Sequence, residues 1–246
     1  MFKNFALTVL IAVTLVGCQM KETMVLNEDG SGKISISMDM REMMAFGSEM
    51  EEDSLKINVD TIIRMKDFLV EKKDSIAKLD KEEQERLKKL ENYKFRTLVN
   101  YETQEMLVDV YTDFKNVNEA NDIMSAFSQS GSFMQGMSNE VKIEDDPDSG
   151  NLIGVDYSFR KGKFMRDAFI IDKEKHSVQM DSIAQAEAFM SSMKYTLKYT
   201  FPKKIKSSSI EDAKFSLDGK TIEVERSFID YMKDPNVLDL TIELEN

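Results

Sequence analysis

The chain has 246 residues, 41% hydrophobic and 32% charged, with a formal net charge of −12, one cysteine, one histidine and no tryptophan. That length holds one large domain or two small ones, and an acidic balance without a basic footprint argues against nucleic-acid binding. A lone cysteine excludes an internal disulfide or a thiolate zinc site, and without a second histidine or a Gly-x-Ser-x-Gly elbow no nucleophilic or metal constellation is legible.

In chain order, residues 1–17 carry the parts of a secretory signal peptide: a charge at Lys3, an apolar run over 5–16, and the small Gly17. The run is shorter than the roughly 20 apolar residues of a spanning helix, and polar Gln19, Lys21 and Glu22 follow it. Leu15-Val16-Gly17-Cys18 resembles the bacterial lipobox. The resemblance implies cleavage before Cys18, a diacylglycerol thioether on its sulfur, and an acyl chain such as palmitate on the new amine. Two or more chains anchor stably where one does not. Cys18 to Asn246 is therefore expected to be a soluble body held on a membrane, with 18–22 as a lipidated tether. Gln19 is not the Asp that favours inner-membrane retention in some bacteria, so the outer membrane, facing the periplasm, is favoured.

Residues 23–26 and 33–40 flank the turn 27–32, and period-two alternation makes them a β-hairpin pairing Leu26 with Ile34 and Met24 with Ile36. The turn has neither phosphate-loop nor calcium-loop spacing. Met38, Met40, Met43, Met44 and Met50 are thioethers that suit Cu(I), but with no His or Cys nearby they read as fillers of irregular core gaps. A third strand is expected over 57–65, then a charged helical section over 66–92. There Asp80-Lys81-Glu82-Glu83 matches a capping box, Leu87 and Leu90 point inward, and Glu82–Arg86 and Glu85–Lys89 are spaced for outside pairs.

Alternation over 95–101 and 106–112 predicts a hairpin turning at Thr103-Gln104, with Val99 opposite Val108. A helix is expected over 117–127, then a Ser/Gly-rich loop bearing Phe133, Met134 and Met137. Acidic 145–151 reads as a turn, with weak calcium binding the sharper alternative. Residues 153–159 and 164–170 pair across Lys161-Gly162. Arg166 is the one charge in the inward phase, opposite Tyr157, marking either a sheet edge or a buried charge pair. His176 reads as an exposed turn residue. A helix over 181–193, a strand over 195–201 ended by Pro202, and the basic cluster Lys203, Lys204 and Lys206 follow. Asp218-Gly219 is the signature of a type I′ hairpin pairing Phe215 with Ile222. A helical turn at 228–232 and a strand over 237–244 complete the chain.

The stretch Leu26-Asn27-Glu28-Asp29-Gly30-Ser31-Gly32, directly after a lipobox, resembles uncharacterised bacterial envelope lipoproteins, loosely an LppM-like group. So does Tyr199-Thr200-Phe201-Pro202 leading to Ser216-Leu217-Asp218-Gly219-Lys220-Thr221. That resemblance implies an α+β envelope domain and assigns no catalytic residue. The pattern of sequence-adjacent strands agrees: an α+β fold, with antiparallel hairpins forming a sheet packed by several helices. Residues 23–246 are read as a single domain, any division falling near 129–150, with two halves sharing one extended antiparallel sheet. The expected role is a non-catalytic binding or structural lipoprotein of the cell envelope. Its partners are the bilayer, through acylated Cys18, and an envelope protein; nucleic acid and cofactors are not expected. The alternative is a carrier or sensor of an apolar small molecule, lined by Phe127, Phe133, Met134 and Met137. An enzyme would need Asp156 and a distant Glu to converge.

Overall fold

The computed structural model describes residues 19–41, 58–135, 152–185 and 190–246. Its strands are β1 (Gln19–Leu26), β2 (Gly32–Asp39), β3 (Val59–Arg64), β4 (Lys94–Asn100), β5 (Glu105–Phe114), β6 (Ile153–Arg160), β7 (Lys163–Ile170), β8 (Lys194–Thr200), β9 (Ile205–Ser208), β10 (Lys214–Phe215), β11 (Thr221–Ser227) and β12 (Leu240–Leu244). Eight form one sheet in the order β10-β11-β8-β1-β2-β5-β4-β3, and four form a second in the order β6-β7-β12-β9. Helices pack around them, so the α+β reading holds. The single shared sheet does not: β6, β7, β9 and β12 form a sheet of their own.

β1 lies inside the large sheet, antiparallel to β2 and parallel to β8. Residues 19–22, read as a tether, are the first half of this strand. Met20, Glu22, Met24 and Leu26 share its inward phase and all are buried. The first hairpin is two residues out of the expected register, pairing Met24 with Ile34 and Leu26 with Gly32. Gly32 is required there, because a Cβ on it would lie 2.2 Å from the Val25 carbonyl oxygen and 2.6 Å from the Phe114 ring. The β4–β5 pairing also shifts, to Val99 with Met106, because residues 101–104 all belong to the turn.

The helical section between β3 and β4 is α1 (Met65–Glu71), α2 (Lys73–Ile76) and α3 (Lys81–Lys89). Asp80 caps α3 by accepting from the Glu83 N–H at 2.8 Å, and Leu87 and Leu90 enter the core. Arg86 pairs with Glu83, at 3.8 Å. The helix expected at 117–127 is divided into a 3₁₀ turn, Val117–Ala120, and α4 (Ile123–Gln135). The next helix starts earlier than expected: α5 spans Lys173–Gln185, because Asp172 Oδ1 accepts from the N–H groups of Glu174 and Lys175, each at 3.0 Å. α6 (Phe228–Lys233) matches the expected turn, and Pro235 opens a 3₁₀ turn that delays the last strand to Leu240.

The type I′ turn is at Lys161-Gly162, where φ is +51° and +73°. Asp218 does not take the positive φ that this turn type needs, although Phe215 pairs with Ile222 as expected. One apolar core runs between the sheets. It joins Ile34, Ile36 and Leu197 of the large sheet to Val155, Phe164 and Ile242 of the small one.

Candidate functional site

Cys18, the residue assigned to lipidation, lies outside the described residues. Strand β1 starts at the next residue, Gln19, which meets Asp39 on one side and Lys194 on the other.

Four residues further, Glu22 is fully buried, and a polar cluster closes around it. Alternation along β1 turns its side chain toward the second sheet, where β6 supplies Tyr157 and β7 supplies Arg166. Neighbouring β8 supplies Tyr195 and Tyr199, two of its inward positions. Arg166 Nη2 donates to Glu22 Oε2 at 3.1 Å and its Nε to Oε1 at 3.4 Å. The Tyr157 hydroxyl donates to Oε1 at 2.6 Å, the Tyr195 hydroxyl to Oε2 at 2.6 Å, and the Tyr199 hydroxyl also to Oε1. Arg166 Nη1 reaches the Leu238 carbonyl at 3.1 Å. The cluster rivets the two sheets together at mid-height.

Burial by itself pushes the Glu22 carboxyl up. The Arg166 guanidinium and the hydrogen bonds from Arg166, Tyr157 and Tyr195 outweigh it and hold the group below its ordinary value. Burial, then the Glu22 charge, push the three phenols well above theirs. An ionised, fully bonded carboxylate with no exposed oxygen is placed to hold structure and not to exchange protons with a substrate. Beside it, Tyr231 stands edge-on to Tyr195, ring centroids 4.6 Å apart, and the Arg166 guanidinium lies 5.8 Å from its ring centre. The Tyr231 hydroxyl is buried without a hydrogen-bond partner among the described residues.

The question left open at Arg166 is therefore answered: it is the cation of a buried pair. Glu22 was missed, though its signal was present, since it shares the even-numbered phase with Met20, Met24 and Leu26. His176 is a correction. It lies in α5, buried, with Nε2 2.7 Å from the Met232 carbonyl.

Other candidates do not converge. Asp156 is exposed and accepts from Asn121 Nδ2 at 2.7 Å. Phe127 packs against the core, Phe133 and Met134 fall in the last turns of α4, and Met137 is outside the described residues. Met38 packs on the core, while Met43, Met44 and Met50 and the acidic 145–151 are likewise outside. Among the described residues no group of three His, Cys, Asp or Glu is arranged to hold a metal ion, and no helix is long and apolar enough to cross a membrane.

Fold and cluster together define a two-sheet α+β protein locked by a buried carboxylate. No protein-family model and no curated protein matches the chain. Among solved structures, the NMR structure of the Mycobacterium tuberculosis LppM folded domain is a neighbour at 5% identity and TM-score 0.42, covering 93% of this chain and 89% of that one. Overlap at that level transfers neither a site nor an activity.

Proposed function

We propose that this chain is a lipoprotein of the bacterial cell envelope, anchored through acylated Cys18 and acting there by binding or structural contact, without catalysis. The observation that carries the reading is the junction at Cys18: the lipobox ends where β1 begins. A chain processed at that cysteine keeps every strand and helix of the described residues. Gln19 in the position after the cysteine favours the outer membrane. The non-catalytic part is supported by Glu22, whose charge is spent on Arg166 and three tyrosines.

The test is mass spectrometry of the amino-terminal peptide from cells fed an alkyne fatty acid. The expected species begins at Cys18 and carries diacylglycerol plus an amide-linked acyl chain, and Cys18→Ala abolishes both label and cleavage. A chain cut elsewhere, or unlabelled at Cys18, overturns the reading.

A further inference from the structure

The turn between β10 and β11 carries a leucine that the rest of the fold leaves in water. Leu217 is fully exposed and Phe215, two residues before it, is half-exposed. The turn is stiff. Gly219 N–H donates to the Ser216 carbonyl at 2.9 Å, Thr221 N–H to Ser216 Oγ at 2.9 Å, and Lys220 N–H to Asp218 Oδ1 at 3.0 Å. Ordering cost is thus met before any partner arrives.

Around this tip stand lysines. The stem of Lys204 passes 3.8 Å from the place a Cβ on Gly219 would take, and Lys203, Lys206 and Lys214 are exposed nearby in the chain. None of these four is in ion-pair contact with a carboxylate among the described residues, whereas Lys220 is tied to the Pro202 carbonyl at 2.8 Å. The acids closest by sequence and pairing are exposed Glu211, Asp212, whose carboxylate is taken by Arg226 at 2.8 Å, Asp218, which accepts from Ser216 Oγ and Lys220 N–H, Glu223 across from Lys214, and Glu245, whose N–H donates to the Lys204 carbonyl. In a chain of net charge −12, four exposed lysines lie close in sequence and pairing to this apolar turn.

We propose that this hairpin is a membrane-inserting finger: Leu217 and Phe215 enter the headgroup layer of an anionic bilayer while the lysines engage its phosphates. Two apolar side chains on a convex turn are far short of the roughly 800 Å² a side that a stable protein interface uses. A fluid surface, in contrast, closes around a small tip, and basic residues beside apolar ones are what such a surface attracts.

The register also fixes where the finger points. Gln19 pairs with Lys194, and Lys194 with Ser227, at one end of the sheet. Val25 pairs with Thr200, and Thr200 with Thr221, at the other. The eight residues of β1 put the finger about 26 Å beyond the Cys18 end. This part rests on the anchor reading: a molecule held by Cys18 aims its finger away from its own membrane, toward a second one.

The chain has no tryptophan, so Leu217→Trp is a single-site reporter at a position with no packing to lose. Full-length protein is placed in phosphatidylcholine vesicles, and acceptor vesicles containing phosphatidylglycerol are added. The Leu217→Trp emission is expected to shift to the blue. Plain phosphatidylcholine acceptors should leave it unmoved, as should Val70→Trp, exposed in α1, the helix that follows β3 at the opposite edge of the sheet. Leu217→Ser should weaken capture of the anionic acceptors about tenfold, and Lys204→Glu by at least about fivefold. No shift with anionic acceptors, or an equal shift at Val70→Trp, overturns the finger. A shift in donors that themselves contain phosphatidylglycerol, before acceptors arrive, overturns the outward aim. The mass of the Cys18 peptide, read from the same vesicles, separates the two ideas. A blue shift on unlipidated protein removes the anchor and keeps the finger, and lipid without a shift does the reverse.

Discussion

Glu22 and Arg166 are each fully buried, so their worth depends on having one another. Arg166→Met leaves a desolvated carboxylate and should cost about 3–5 kcal/mol in a denaturant titration, while the double variant Glu22→Leu/Arg166→Met should recover most of that loss. A double variant as unstable as the single one would show that the residues act independently. The sign with pH follows from the carboxyl lying below its ordinary value in the fold. Its contribution is present above the unfolded pKa of about 4.5 and is lost as pH falls through the lower folded one. The phenols run the other way. Raised in the fold, they add stability that is present below about pH 10 and fades as pH rises beyond it. Unfolding free energy measured from pH 3 to 11 should therefore fall at both ends, and Glu22→Gln should flatten the acid limb. Tyr231 gives the contrasting case. Its hydroxyl is buried and unpartnered, so Tyr231→Phe should leave stability unchanged or raise it, whereas Tyr195→Phe strips a bond from Glu22 and should cost about 1–3 kcal/mol.

At the level of elements, two glycines separate crowding from backbone strain. Gly32→Ala forces a methyl against the Val25 carbonyl and the Phe114 ring at the join of β1, β2 and β5, where backbone cannot give way. A loss of about 3 kcal/mol is expected. Gly162→Ala meets nothing within 4 Å and carries only the cost of φ +73°, about 1–2 kcal/mol. Thermal melts of both variants check the order. What could be read from the sequence at this scale follows the same physics. Asp80 was legible as a cap because a cap is a local bond. The β10–β11 register was legible because Phe215 and Ile222 face each other across a short turn. The first hairpin slipped by two residues, since alternation fixes the face of a strand but leaves even shifts open. The decisive close approach, Gly32 against Phe114, comes from a third strand 82 positions away in sequence. His176 misled for a related reason: its charged neighbours read as a turn, and only α5 packing beside Met232 buries it.

For the whole molecule, the parallel pairing of β1 with β8 joins residues some 175 apart, which no local pattern announces. It changes where the domain starts. Had 19–22 been a tether, a chain beginning at Thr23 would fold as well as the longer one. With β1 as an interior strand, that chain loses four rungs on both sides, takes Met20 from the core and leaves Arg166 buried without its carboxylate. Losing one partner of such a pair alone costs about 3–5 kcal/mol, a large share of the 5–15 kcal/mol that keeps an ordinary domain folded. A chain beginning at Gln19 should unfold in one cooperative transition, and one beginning at Thr23 should be molten or insoluble, as followed by near-ultraviolet circular dichroism of the tyrosines. Equal stability of the two chains would return 19–22 to a tether and detach the Glu22 cluster from the fold. A lipid on Cys18 would pull directly on the strand that holds both sheets together, with no slack between membrane and core.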